Sequence, residues 1–183
     1  MKNKGKYQWV EKGYDLVSEV GFTKINIEFL SRELNKNKSS FYYYFGDWDG
    51  FEEELLAQHV AFGKLFEQEA KGCKRIIPDM IDLFLRSKTD IFFHKQLRIN
   101  RQNTRFKQCF ENTYSMFENA IIEQWASFLN MRDQPILAGK ILTLISENFL
   151  LRITNEDFTF SWMEDYLAEI SNLMSDSNLP TNK

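Results

Sequence analysis

The chain of 183 residues carries 23 Lys+Arg against 26 Asp+Glu and holds only eight Gly and three Pro. So few helix breakers point to an all-α protein, because helix interiors exclude both residues whereas sheets need turn residues every few positions. An apolar share of 43% excludes disorder except near the C-terminal end.

The length suits one domain, or a small domain joined to a medium one. The opening MKNKGKYQW is charged and then aromatic, without the apolar run of a signal segment, and no stretch is long enough to span a bilayer. A cytoplasmic protein without a membrane partner is therefore expected. Cys73 and Cys109 have no second cysteine or histidine at ligand spacing and read as free thiols of a reducing compartment, with a disulfide as the lesser alternative. Residues 1–46 hold eight Lys+Arg and five Asp+Glu, leaving 15 and 21 for the remainder, so a mildly basic head sits on an acidic body.

In chain order, the first predicted helix runs from Tyr7 to Val20, where Trp9, Val10, Gly13, Leu16, Val17 and Val20 share one face and Gly21 supplies the left-handed stop. Asn26 then caps a helix of about two turns, with Ile25 before the cap and Leu30 at its fourth position, the arrangement of a hydrophobic staple. Asn35, Lys36 and Asn37 interrupt the apolar pattern, and a third helix follows, capped by Asn37, with Phe41 and Phe45 one turn apart and Gly46 at its end. Two short helices joined by so tight a turn make a helix-turn-helix. After the break GDWDG, further helices are predicted over 51–71, 76–86, 89–100, 105–131, 136–153 and 158–174, about nine in all with no strand. Pro78 and Pro135 sit at the openings of their windows, where proline is tolerated.

The stretch NKNKSSFYYYFGDWDGF, residues 35–51, holds the chemistry. At about 100° per residue, Phe41 and Phe45 point into the small bundle with Leu30 and Leu34, which leaves Tyr42, Tyr43 and Tyr44 on the flank or surface with hydroxyls able to donate to a phosphate. The helix start carries Lys38, Ser39 and Ser40. Small polar side chains allow close approach to base edges, and free backbone N–H groups at a helix start suit an anion. Spacing alone leaves two readings open, DNA contact or ordinary capping and solvation.

The run Glu19-Val20-Gly21-Phe22, the interval to Phe29-Leu30-Ser31, and above all Ser-Ser-Phe-Tyr-Tyr-Tyr-Phe at 39–45 resemble the N-terminal DNA-binding domain of the TetR family of bacterial transcriptional regulators. The resemblance covers residues 7–52. It implies a helix-turn-helix DNA-binding domain over 1–46 and a larger helical ligand-binding and dimerisation domain over 47–176, while the polar composition of 177–183 reads as a flexible tail. It further implies a dimer that binds a palindromic double-stranded DNA operator and responds to a ligand, with repression the expected direction. By resemblance, Asn26, Lys36, Asn37, Lys38, Ser39, Ser40, Tyr42, Tyr43 and Tyr44 fall at or beside the family's DNA contacts. Two departures stand out. Leu34-Asn35-Lys36-Asn37 replaces the family's usual alanine-glycine-valine-serine turn, and Trp48, between Asp47 and Asp49, replaces a lysine that grips a phosphate. An indole N–H can donate to a phosphate but two carboxylates repel one, so modest affinity with a shallow salt dependence is expected.

For the body, the resemblance places dimerisation on the last two helices, where Ile141, Leu144, Ile145, Phe149, Trp162, Met163, Tyr166, Leu167 and Ile170 form apolar stripes that serve equally as internal core. Dimerisation is also expected because one short recognition helix makes too few contacts, whereas two copies one helical turn apart read a palindrome. Phe84, Phe92, Phe93, His94, Phe110, Tyr114, Phe117 and Trp125 are candidates to line an effector pocket, or are plain core; seventeen phenylalanines favour an apolar or aromatic effector.

No glycine-rich phosphate loop or nucleophile-base set is recognisable, the two histidines, His59 and His94, read as isolated, and no motif implies a cofactor or an enzyme. The alternative function is a small-molecule carrier or protein-interaction module whose head has weak or lost DNA binding.

Overall fold

The computed structural model describes residues 2–176, in which the chain forms nine α-helices and no strand. They are α1 (Lys2–Val20), α2 (Ile27–Glu33), α3 (Lys38–Phe45), α4 (Trp48–Gly72), α5 (Ile81–Arg86), α6 (Lys88–Ile99), α7 (Thr104–Phe128), α8 (Pro135–Arg152) and α9 (Phe160–Asp176). The segment expected to be loose, 177–183, lies outside the described residues.

The stop and start signals behave as local chemistry dictates. Gly21 and Gly46 adopt φ of 86° and 77° beyond α1 and α3. The Asn26 and Asn37 side chains each accept a backbone N–H, from Phe29 and Ser40 respectively, both at 2.9 Å. In the α2–α3 turn Asn35 takes the left-handed conformation, φ 50°, that a glycine would otherwise supply.

Among the boundaries that differ from expectation, three have a local cause. α4 begins at Trp48, inside the predicted break, because Asp47 Oδ1 accepts the Gly50 N–H at 2.8 Å and starts the helix early. The window 76–86 is not one helix: Ile77, which precedes a proline, is extended (φ −112°, ψ 125°), and a single wide turn over Ile76–Met80 leads into the short α5. α7 closes before Met131, where Asn130 turns left-handed (φ 56°) and the Met131 N–H bonds the Ala126 carbonyl at 2.7 Å.

The helices form two compact units, one from the chain up to Lys64 with Thr89–Tyr114, the other from Leu65–Lys88 with the chain beyond Ser115. The first contains the whole of α1, α2 and α3. Its core holds Trp9, Val17, Leu30, Phe41, Phe51 and Leu55, all wholly enclosed. Phe41 stands edge-on to Trp9 with ring centres 5.4 Å apart and packs on Phe45 and Phe51 at 4.9 and 5.2 Å. Gly13 lets this happen: a methyl group there would lie 2.3 Å from Cζ of Phe51. That ring is fully enclosed and has nowhere to go. Gly13→Ala is expected to lower stability by about 1–3 kcal/mol despite alanine's better helix propensity; an unchanged urea midpoint would contradict it.

In the second unit, Phe66, Phe84, Phe117 and Phe149 form a ring cluster with centre separations of 5.6–6.0 Å. Trp125 ties α7 to α8 by donating its indole N–H to the Ala138 carbonyl at 3.0 Å.

Candidate nucleic-acid interface

Because two caps and Phe41 hold α3, the face that carries Lys38, Ser39, Tyr42 and Tyr43 is left outward. Tyr42 and Tyr43 are 51% and 64% exposed. Asn37, Lys38 and Ser39 are exposed as well, and Lys36 and Ser40 are half-buried. Asn26, also exposed, marks the start of α2. Both cap asparagines use their side-chain oxygens on the backbone, so their amide nitrogens are the groups best placed to meet a partner. The Ser40 hydroxyl likewise donates to the Asn37 carbonyl at 2.8 Å. Its contribution here is to the cap.

Tyr44 takes a different direction from its neighbours. A methyl group on Gly5 of α1 would come within 2.2 Å of the Tyr44 hydroxyl, so this half-buried ring packs against α1. Of the three tyrosines, Tyr42 and Tyr43 are the ones whose rings stand mostly in solvent.

The lysines of the turn are held by neighbours that the sequence reading missed. Lys36 Nζ donates to Gln8 Oε1 at 2.6 Å and lies 5.9 Å from the centre of the Trp9 ring. Lys38 Nζ forms an ion pair with Glu28 Oε1 at the start of α2. That hydrogen bond holds the Glu28 carboxyl below the usual carboxylate range. Neither partner has a signal in periodicity, which says which face a residue occupies but not what crosses from another helix.

Trp48 is also accounted for. Its indole N–H, expected to be able to reach a phosphate, instead donates to Glu52 Oε1 at 2.9 Å. Arg105, at the start of α7, meets Glu52 Oε2 at 2.8 Å and Asp49 Oδ1 at 3.1 Å, with Glu53 at 3.8 Å. The acidic opening of α4 is thus partly neutralised by an internal guanidinium. Burial still raises the Glu52 carboxyl, against the lowering effects of Trp48 and Arg105.

Deeper in the first unit the two histidines, read as isolated, meet. Tyr14 donates its hydroxyl proton to Asp90 Oδ1 at 2.9 Å and lies 2.7 Å from His59 Nδ1. His59 Nε2 is 3.2 Å from His94 Nδ1, and Thr113 Oγ1 lies 3.3 Å from the same nitrogen while donating to the Cys109 carbonyl at 2.9 Å. Proton counting orients the chain. With its one proton given to Asp90, Tyr14 can only accept, so His59 carries its proton on Nδ1; His59 Nε2 is then bare and accepts from His94 Nδ1–H. Burial lowers the His59 pKa well below its ordinary value and, for His94, brings it to about 3. Both rings are neutral at pH 7.

The eight candidate pocket residues are divided between the two units. Phe84 and Phe117 belong to the ring cluster of the second, and Trp125 is buried there by its bond to α8. In the first, Phe93 stacks on Tyr14 at 4.0 Å and His94 on Phe110 at 4.3 Å; Phe110 is followed by Tyr114 at 6.1 Å, and Phe92 is buried. A surface cavity of about 470 Å³ lies elsewhere, against Lys74, Gln124, Arg132 and Pro135, and none of the eight lines it. Among the described residues no three His, Cys, Asp or Glu side chains come together to hold a metal ion.

On the last two helices, Phe149, Met163, Tyr166 and Ile170 are buried within the chain itself. Tyr166 donates to the Ile145 carbonyl at 3.0 Å, so these residues join α8 to α9. Ile141, Ile145, Trp162 and Leu167 are half-buried. Leu144 is 71% exposed, and Leu137 and Leu151, each seven residues from it, are also exposed, as is Leu173 of α9. No described helix is long and apolar enough to cross a membrane. No family model matches the chain, and no curated protein matches it.

Proposed function

We propose that the protein is a DNA-binding transcriptional regulator that acts as a dimer and resembles the TetR family in its head. The observation that carries the reading is the stretch Asn37–Tyr43: a capped turn and short helix whose core residue Phe41 is fully enclosed while Lys38, Ser39, Tyr42 and Tyr43 stand in water. A rigid helix start with exposed small polar and phenolic side chains suits major-groove approach, Ser39 toward base edges and the tyrosine hydroxyls toward phosphates. An apolar or aromatic effector that biases the spacing of two heads belongs to the same reading, as does repression as the default outcome.

The test is fluorescence anisotropy with duplexes from the DNA upstream of the gene. Tyr43→Ala and Ser39→Ala are each expected to weaken binding by about 1–3 kcal/mol without changing the melting temperature. If wild-type protein binds none of these duplexes at low salt, the regulator reading fails and the carrier or protein-interaction alternative takes its place.

A second copy of the chain is the proposed occupant of the exposed leucines of α8. Leu137, Leu144 and Leu151 recur every seven residues, the repeat of a seam between helices, and the bulk of a half-palindrome contact requires two heads. Leu144→Asp is expected to convert the dimer to a monomer in sedimentation equilibrium and to weaken DNA binding at least tenfold. Dimers that persist in this variant would place the seam elsewhere.

A further inference from the structure

Glu28 and Lys38 form an ion pair in which both side chains are exposed, by 61% and 50% respectively. Exposed ion pairs contribute little to stability, and α2 already has its Asn26 cap, so the contact is not needed to hold the fold. Its consequence lies on the outward face. Lys38 is the first residue of α3, where a lysine supplies attraction to phosphate. Glu28 sets a negative charge against it, so the pair presents no net charge. Lys36, by contrast, is held by the neutral amide oxygen of Gln8 and keeps its full charge. The two lysines of the turn therefore differ in kind: one is charged toward solvent and the other is masked.

We infer that Glu28 is a specificity-determining residue that acts through Lys38, withholding that lysine from phosphates of arbitrary DNA. The inference rests on the regulator reading above. When α3 nears a duplex, Lys38 reaches a phosphate only by leaving Glu28. On non-cognate DNA, where phosphate attraction supplies essentially all of the affinity, the loss of the Glu28 partner offsets what Lys38 gains from the phosphate. At a cognate site, base contacts from the helix start hold α3 in place whatever the state of this pair. Glu28 thus removes a larger share of background affinity than of specific affinity.

The test measures binding of the full chain to a random-sequence 20-base-pair duplex across salt concentrations, for wild type, Glu28→Gln, Lys38→Met, the double variant, and Glu33→Gln. Glu33 is the control, since it loses the same charge from the same helix but is paired with Lys12 of α1 at 3.4 Å. Glu28→Gln is expected to tighten binding about fivefold per head at 50 mM salt and to steepen the slope of log K against log salt by about 0.9 per head. Both gains are expected to vanish in the Lys38→Met background, and Glu33→Gln to produce neither. A gain that survives Lys38→Met, or an equal gain from Glu33→Gln, would mean that bulk charge and not masking is at work. Wild-type binding with no response to Glu28→Gln overturns the inference and leaves the regulator reading intact. Absence of binding by every variant, with circular dichroism showing them folded, overturns both.

Discussion

Phe41→Ala is expected to cost about 3–5 kcal/mol of folding stability, a large part of the total for a domain of this size. The ring has no solvent exposure and touches Trp9, Phe45 and Phe51 at ring-centre distances of 4.9–5.4 Å. Trp48 stacks on it from the start of α4 at 6.2 Å. These neighbours come from α1, α3 and α4, so a void here cannot be closed by shifting one helix alone. Removing the ring deletes its transfer free energy and leaves a cavity walled by other rings. Urea unfolding followed by tryptophan fluorescence reports it directly, since Trp9 and Trp48 flank the site. Phe41→Leu, which keeps much of the volume, is expected to lose much less. If Phe41→Ala loses under 1 kcal/mol, the head does not depend on this cluster.

Tyr14→Phe is expected to cost about 2–4 kcal/mol, although it removes one oxygen atom. The hydroxyl serves Asp90 and His59 together, and without it a buried N–H and a partly buried carboxylate each lose a partner. Asp90→Leu in the Tyr14→Phe background is expected to recover part of the loss; strict additivity in this double-mutant cycle would dissolve the proposed network. The histidines add a pH signature. A base whose pKa is lowered by folding contributes stability that is present above its unfolded value near 6.5 and is lost as pH falls toward its folded value. With the folded His94 at about 3, stability is expected to fall by about 2 kcal/mol between pH 7 and pH 5 on its account, and His59 acts in the same direction. Asp90, whose carboxyl burial raises, acts with the opposite sign, its contribution being lost as pH rises. His94→Gln is expected to flatten the profile between pH 7 and 5, and a profile identical to wild type would refute the assignment.

Much of the head was legible because its signals are local. Asn26 and Asn37 bond backbone groups three residues on, and Gly21, Gly46 and Asn35 declare left-handed turns through their own conformational freedom. Helical period was enough to separate Phe41 from Tyr42 and Tyr43, because burial of one face follows from 100° per residue. The same rule was silent on Ile77, where a following proline breaks the backbone without disturbing the apolar spacing.

What the tertiary structure alone decided is the set of polar contacts between helices. Lys38 meets Glu28 across ten residues of sequence, Lys36 meets Gln8 across 28, His59 meets His94 across 35, and Arg105 meets Glu52 across 53. Period assigns each of these residues to a face of its own helix. It carries no information on which two faces meet or at what height, because helix packing sets that through the apolar side chains between them. Composition and spacing therefore determined an all-helical protein with a capped, outward-facing turn and helix. Packing determined which of its charges are paired, which tyrosines stand in solvent, and that two apparently solitary histidines form one buried chain.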